Sequence, residues 1–160
     1  MEERMSRWGI GPVFAALSVA YGLVCMLLTY VFYPAFQMHV LPYRLMVAVG
    51  AALILVGLLF CVVSIVTVMR AYEGGRLVTG SVFACCRHPL YASWVVFIVP
   101  GIVFLFDSWI GLSAPVFMYA LLRILVRKEE VYLEREFGAE YLEYKRRVPC
   151  IVPCGRALKR

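Results

Sequence analysis

Four long runs of hydrophobic residues, separated by short polar segments, dominate this chain. They cover about Pro12–Tyr33, Leu45–Met69, Leu90–Phe106 and Trp109–Val126. A helix needs roughly 20 apolar residues to cross the hydrocarbon core of a bilayer, and each run is close to that length. Only the polar turn Asp107-Ser108 joins the last two runs, which predicts a helical hairpin. The pattern therefore predicts an all-α integral membrane protein with about four transmembrane helices.

The composition supports the membrane class. The chain of 160 residues is 63% hydrophobic and only 16% charged, whereas soluble domains are closer to half apolar. The first run is longer than the apolar part of a typical signal peptide, and no small-x-small cleavage site follows at Tyr33-Pro34-Ala35-Phe36. We therefore expect the first run to remain as a membrane helix.

Positive charges are distributed very unevenly over the polar segments. With four spans, fifteen of the 16 Lys and Arg residues fall on one side of the membrane, and Arg44 alone falls on the other. The positive-inside rule predicts that the richer side, with both termini, is cytoplasmic. This topology and contact with anionic membrane lipids account for the net charge of +6, so no nucleic-acid partner is predicted.

The predicted spans contain almost no ionisable side chains. Between Leu45 and Met69, and again between Pro89 and Phe106, there is no Asp, Glu, Lys, Arg or His. Ion-coupled transport normally uses an ionisable residue within the membrane, so the pattern disfavours a transporter. The polar chemistry is instead concentrated in two membrane-adjacent segments, Arg87–Tyr91 and Glu129–Glu130.

The six cysteines do not predict disulfides or a metal site. Two of them, Cys25 and Cys61, lie inside predicted spans, where a thiol behaves as a small hydrophobic side chain. The other four fall on the predicted cytoplasmic side, which is reducing. The pair Cys150-x3-Cys154 has no second Cys or His pair at ligand spacing to complete a zinc site.

The segment after Arg127 is too charged to span a membrane but keeps a helical pattern. Gly138 within it predicts a bend or a break. An amphipathic helix lying on lipid headgroups would explain both the apolar stripe and the basic run Lys145-Arg146-Arg147. It would not explain the adjacent acids Glu129 and Glu130 at the membrane-proximal end. The stripe consists of Leu133, Phe137, Tyr141, Tyr144 and Val148.

The predicted hairpin brings the two polar segments together. His88, at the start of the third span, should lie near Arg123–Glu130 at the end of the fourth. Pro89 suits a first helical turn, whose free amides and positive helix end favour an anionic ligand group. Taken singly, Arg87 and His88 are explained as interfacial residues, and Arg127 as an i,i+3 partner of Glu130. Their convergence beside an apolar bundle favours a functional site.

Three motifs in series resemble the isoprenylcysteine carboxyl methyltransferase family. The resemblance extends from about Leu77 to Pro153, roughly half of the chain, and the Arg-x-Pro-x-Tyr and Glu-Glu elements alone also resemble phospholipid N-methyltransferases. The motifs are Leu77-Val78-Thr79-Gly80-Ser81-Val82-Phe83 with Arg87-His88-Pro89-Leu90-Tyr91 and Trp94, then Glu129-Glu130-x-x-Leu133, then Phe137-Gly138-x-x-Tyr141-x-x-Tyr144 with Val148-Pro149.

The resemblance implies a membrane-embedded methyltransferase that uses S-adenosylmethionine and faces the cytoplasm. Residues 1–160 would form one domain, in which 1–69 provide two N-terminal spans. Residues 70–160 would provide the cofactor-binding loop, the helical hairpin and the C-terminal helices. Substrate choice is expected to depend on the N-terminal spans, since these carry no recognisable motif.

The resemblance also implies roles for individual residues. Catalytic roles fall to Glu130 and to Arg123 or Arg127, because the arginine usual in the family, four positions before the first Glu, is replaced here by Leu125. The implied cofactor contacts are Arg87, His88, Pro89, Leu90, Tyr91, Glu129, Glu130 and Tyr141.

The predicted reaction is O-methylation of the carboxylate of an isoprenylcysteine-like or other lipophilic substrate. A water-poor site suits this step, because transfer from a sulfonium to a carboxylate annihilates two charges. A lipid-linked substrate would enter between the spans while the cofactor enters from the cytosol. Two alternatives remain at this point: N-methylation of an aminophospholipid, and a non-catalytic membrane scaffold or lipid-binding protein.

Overall fold

The computed structural model describes residues 9–72 and 77–151. Apart from one isolated bridge between Gln37 and Ser108, these residues form no β-structure, which confirms the all-α prediction. Arg4, Arg7, Arg76 and Cys154 lie outside the described residues. The main helices are α1 (Gly11–Val31), α2 (Tyr43–Tyr72), α3 (Pro89–Leu105) and α4 (Ser113–Arg147).

The apolar runs correspond closely to the helices. Within residues 9–72 and 77–151, three helical stretches are long and apolar enough to cross a membrane: Gly11–Val31, Tyr43–Arg70 and Ile110–Arg147. The helix α3 is apolar but shorter, and it passes through a π-helical segment at Ser93–Ile98. The integral membrane class is thus supported, while the number of spans and their orientation remain predictions.

Small residues allow α2 and α3 to pack closely. A Cβ atom added at Gly50 would lie 2.7 Å from the Gly101 carbonyl oxygen, and one at Gly57 would lie 2.6 Å from Cγ1 of Ile98. The α1 helix is held to the start of α4 by polar contacts instead. The Tyr21 hydroxyl donates to Oγ of Ser113 at 3.1 Å. Both kinds of contact are typical of helices that pack within a bilayer.

The helix α4 is broken at Gly138, as the sequence predicts. Gly138 has φ 53° and ψ −125°, a conformation outside the helical region. The chain that follows, Ala139–Ile151, is here named the C-terminal arm, and it packs against the segment that precedes α3. The Tyr144 hydroxyl donates to the Phe83 carbonyl at 2.7 Å, and Tyr141 of the predicted stripe is 1% exposed.

Backbone hydrogen bonds connect the arm to the start of α3. The Arg87 amide donates to the Pro149 carbonyl at 2.9 Å, and the His88 amide donates to the Cys150 carbonyl at 3.1 Å. Pro89 is buried in the first turn of α3, where its missing N–H costs nothing. The arm, α3 and the charged half of α4 therefore meet at Arg87 and His88.

Candidate functional site

Arg87 joins the three elements of the site. Its Nε and Nη2 donate to Oε1 of Glu130 at 3.1 Å and 2.5 Å. Its Nη1 donates to the carbonyls of Lys145 and Val148 on the arm, at 3.1 Å and 2.6 Å. The planar guanidinium suits this many directed contacts, which a lysine ammonium would not reproduce.

Glu130 is the most heavily paired acid of the site. Besides Arg87, it contacts Nζ of Lys145 through Oε2 at 3.0 Å, and Lys145 also pairs with Glu134. Burial disfavours the charged form of Glu130, but the contacts with His88, Arg87 and Lys145 outweigh burial and hold its pKa well below the usual range. Glu130 therefore stays ionised and fixed in place.

Glu129 has the opposite electrostatic environment. Burial raises the pKa of its carboxyl above the usual range, although His88 and Tyr91 partly oppose the rise. The nearest contact with His88 joins Oε2 of Glu129 to Nδ1 at 3.9 Å, which is too long for a hydrogen bond. The two adjacent carboxylates therefore differ. Glu130 forms close ion pairs with Arg87 and Lys145, whereas Glu129 forms none of comparable length.

Three polar atoms of the site are buried without a hydrogen-bond partner among the described residues. They are Nε2 of His88, Oε2 of Glu129 and the Tyr141 hydroxyl. Buried polar atoms in proteins are nearly always paired, and each unpaired one carries a desolvation cost of about 1–3 kcal/mol. Their concentration beside Arg87 and Glu130 is the signature expected of a site that binds a polar ligand.

The structure brings together most of the residues predicted from the sequence. Arg87, His88, Glu129, Glu130 and Tyr141 form the polar cluster described above. This confirms the predicted proximity of the start of α3 to the acids of α4. Pro89 lies directly behind the cluster, and Leu90 and Tyr91 line an apolar cavity next to it.

The two candidate arginines are not part of the cluster. Arg123 and Arg127 are exposed on α4, and neither forms an ion pair with a described acid. The i,i+3 pair between Arg127 and Glu130 is therefore absent from the described structure. Arg123 does have an electrostatic effect on one residue near the site, Cys150. Burial and Glu130 raise the pKa of the Cys150 thiol, and Arg123 is among the cations that oppose this rise.

Two residues of the site were missed by sequence reasoning. The sequence assigned Lys145 to lipid contact and gave Cys150 no role, yet both lie against Glu130. No local signal identifies them, because they reach the site only through the break at Gly138 and the return of the arm. The helical stripe that ends in Val148 indicates which face turns inward, but not where the arm binds.

A large apolar cavity adjoins the polar cluster. It has a volume of about 860 Å³ and lies between α1, α2, α3 and the start of α4. One face of α1 lines it from Gly11 to Tyr30, Tyr33 lines it just beyond that helix, and Tyr91 lines it near the cluster. The ring of Tyr91 also packs edge to face on Phe14 of α1 at 5.3 Å. Tyr91 therefore lies between the apolar cavity and the polar cluster.

Similar proteins carry a common name. Protein-S-isoprenylcysteine O-methyltransferase of Homo sapiens is 37% identical over 83 residues, which are 52% of this chain and 29% of the human protein. The Mus musculus protein of the same name is 36% identical over the same shares. Protein-S-isoprenylcysteine O-methyltransferase B of Arabidopsis thaliana is 29% identical over 113 residues, 65% of this chain and 57% of that protein.

The extent of these similarities is limited. The chain spans under a third of the length of the two mammalian relatives and just over half of the plant one. No family model and no solved structure matches the chain. The similarities agree with the resemblance carried by the motifs: over about half of its length, the chain is similar to proteins named protein-S-isoprenylcysteine O-methyltransferase.

Proposed function

We propose that this chain is an S-adenosylmethionine-dependent membrane methyltransferase that esterifies the carboxylate of an isoprenylcysteine-like or other lipophilic substrate. The observation that carries the proposal is the direct junction, at Tyr91, of a polar cluster with an apolar cavity of about 860 Å³. The polar cluster fits a cofactor with several polar groups, and the apolar cavity fits a hydrocarbon chain. The curated relatives are named for this reaction, which supports the same assignment.

The polar cluster fits the chemistry of the cofactor. S-adenosylmethionine supplies a methyl group on a positively charged sulfur, and it also carries hydroxyl, ammonium and carboxylate groups. Oε2 of Glu129 offers an acceptor for hydroxyl or ammonium groups, while Nε2 of His88 and the Tyr141 hydroxyl offer further unpaired polar atoms. These three atoms would regain, on binding, the hydrogen bonds that burial has cost them.

The two acids then have different roles. Glu130 is already satisfied by Arg87 and Lys145, so it positions Arg87 and the arm rather than binding the cofactor itself. Oε2 of Glu129 is buried and has no hydrogen-bond partner among the described residues, so Glu129 is the acid that contacts the cofactor. This division of roles differs from the expectation that both acids contact the cofactor and that Glu130 also has a catalytic role.

The cavity fits a lipophilic substrate. Its volume lies toward the upper end of the 300–1,000 Å³ range that is usual for ligand pockets. The helix α1, with 21 residues, is about 30 Å long at about 1.5 Å per residue, so a long hydrocarbon chain fits against it. The carboxylate of such a substrate would lie near Tyr91, shielded from water, where little solvation of the two charges opposes methyl transfer.

The decisive experiment is an assay of the purified chain in detergent with radiolabelled S-adenosylmethionine and a prenylcysteine acid. The expected product is a methyl ester, whose label is released by mild base. A label on an aminophospholipid that survives mild base would replace the proposal with N-methylation. Calorimetry with S-adenosylhomocysteine completes the test, because no binding and no ester would leave only a non-catalytic membrane protein.

A further inference from the structure

We propose that Ser18 of α1 is a specificity-determining residue, which donates a hydrogen bond to an acceptor atom between the carboxylate of the substrate and its hydrocarbon tail. This inference rests on the proposed function and adds one chemical requirement to the substrate. Ser18 lines the apolar cavity, and its Oγ is buried without a hydrogen-bond partner among the described residues. It belongs to the N-terminal spans, which carry none of the motifs described above.

Ser18 differs from the other Ser and Thr residues of α1 and α2. Each of the others donates to the carbonyl oxygen four residues earlier, which is the usual way to satisfy a hydroxyl inside a membrane helix. These pairs are Thr29 with Cys25, Ser64 with Phe60 and Thr67 with Val63, at 2.6–2.8 Å. Ser18 makes no such bond to the Phe14 carbonyl. Its hydroxyl is therefore available to a ligand.

The walls of the cavity, as far as the structure describes them, do not satisfy Ser18 either. Thr29 and Ser108, the other Ser and Thr residues of the lining, hydrogen-bond to each other at 2.6 Å. Oγ of Ser108 also accepts the Gly111 amide at 3.0 Å. A hydrocarbon tail cannot satisfy a buried hydroxyl, whereas a ligand with an acceptor atom can. Ser18 therefore favours such a ligand over a plain hydrocarbon.

The position of Ser18 along α1 indicates where the acceptor atom lies. Phe14, one helical turn earlier on the same face, packs on Tyr91, and the substrate carboxylate would lie near Tyr91. Four residues at about 1.5 Å each place Ser18 about 6 Å further along the cavity. The acceptor must therefore be close to the carboxylate, at the start of the tail.

This requirement defines a class of substrate. In a prenylcysteine acid, the thioether sulfur is the first heteroatom on the path from the carboxylate to the tail. Sulfur is a weak acceptor, and an ether oxygen at the same place is a stronger one. The shared chemistry is a divalent sulfur or oxygen atom at this junction. A plain fatty acid, whose hydrocarbon chain begins at the carboxylate, lacks it and is disfavoured.

The test compares three acids that carry the same prenyl tail and differ only at the junction atom, which is a thioether, an ether or a methylene. Binding to the purified full chain in detergent is measured by competition with the radiolabelled thioether acid, and methylation is measured as kcat/KM. Wild type should prefer the thioether and the ether to the methylene acid by about three- to tenfold, as expected for one neutral hydrogen bond. S18A should bind all three acids almost equally.

Matched variants separate the hydroxyl of Ser18 from the shape of its side chain. S18T keeps a hydroxyl and should keep the preference, whereas S18V has the shape of threonine without the hydroxyl and should lose it. S64A removes a hydroxyl that is already bonded within α2 and does not line the cavity, so its preference should equal that of wild type. Comparison between variants also cancels the different solubilities of the three acids in detergent.

The outcomes distinguish this inference from the proposed function. The same preference in wild type, S18A and S18V overturns the inference, and so does a wild type that binds none of the acids or does not discriminate among them. Methylation with a ratio that is independent of Ser18 leaves the proposed function intact and removes the role of Ser18. A binding preference that requires the Ser18 hydroxyl, without methylation of any acid, supports the inference and removes the proposed reaction.

Discussion

The adjacent carboxyl groups of Glu129 and Glu130 in α4 have different surroundings and oppositely shifted pKa values. Glu130 is locked by Arg87 and Lys145, and its pKa is held below the usual range. Glu129, one residue earlier, is half-buried, its Oε2 has no hydrogen-bond partner among the described residues, and its pKa is raised. The first is therefore a permanent charge that organises the arm, and the second is a titratable acceptor that remains available to a ligand.

Removing the guanidinium of Arg87 should be costly to stability. R87A leaves Glu130 buried with one fewer cation, and breaking a buried pair in this way costs about 3 kcal/mol. The measurement is thermal unfolding in detergent, with R147A as the control. Arg147 pairs with Glu143 on an exposed surface, so its loss should cost at most about 0.5 kcal/mol. Equal changes in melting temperature for both variants would contradict the structural role of Arg87.

Cofactor binding should weaken in mildly acidic solution because of Glu129. A raised pKa means that this carboxyl takes up a proton at a higher pH than an ordinary Glu, whose pKa is about 4.3. The charged form is the better acceptor, so affinity is full above the raised pKa and falls as the pH drops through it. Calorimetric titration with S-adenosylhomocysteine from pH 8 downward measures the effect. In E129Q the affinity should be lower and nearly independent of pH, and a parallel pH profile would show that another group is responsible.

The two candidate arginines should contribute unequally to activity. Both arginines are exposed, and Arg123 is among the cations that oppose the raised pKa of the Cys150 thiol. Loss of a charge-stabilising donor costs about 2.7–4 kcal/mol, so R123A should lower kcat/KM by roughly 10²–10³-fold if Arg123 holds the substrate carboxylate with two hydrogen bonds. R127A is the matched control and should change kcat/KM by only a few fold. Equal, mild losses would mean that neither residue holds the substrate.

At the scale of elements, the sequence predicted the helices but not the path of the arm. Runs of apolar residues mark α1 and α2 directly, and the tight turn Asp107-Ser108 correctly placed His88 beside the acids of α4. Lys145 and Cys150 could not be placed in the same way. Their contacts depend on the direction that the chain takes after Gly138, which tertiary packing decides and local pattern does not.

The break at Gly138 should be sensitive to any side chain. Nothing lies within 4 Å of a Cβ added there, so G138A costs no steric clash with neighbours. The cost is in the backbone, since φ 53° with ψ −125° is strained for residues other than glycine by about 1–3 kcal/mol. We expect G138A to loosen the arm, seen as faster proteolysis after residue 138 and weaker S-adenosylhomocysteine binding.

Gly80 provides the control for that variant. It also has open space around it, but its φ of −98° and ψ of 178° are ordinary extended values that alanine adopts freely. G80A should therefore be neutral or slightly stabilising. If both variants resist proteolysis and bind ligand as wild type does, the unusual backbone at Gly138 is not needed to hold the arm.

At the scale of the whole molecule, the polar cluster lies beside one end of the apolar cavity. The high apolar fraction predicted the membrane class, and the helices agree with it. The helix α3 is shorter than the roughly 20 residues that cross a bilayer, so length alone predicts three spans among the described residues rather than four. The asymmetry of positive charge predicts the orientation of the molecule, with the cluster on the cytoplasmic side.

That orientation can be tested with a membrane-impermeant maleimide. Val40 lies between α1 and α2 and is 60% exposed, so V40C should be labelled in intact cells while wild type is not. The native cysteines are either within spans or on the predicted cytoplasmic side. Permeabilised cells should show labelling of the exposed Cys85, and C85S should reduce it. Labelling of wild type from outside, with no gain in V40C, would mean that the site faces away from the cytoplasm. The cytosolic supply of S-adenosylmethionine would then be on the wrong side of the membrane for the proposed reaction.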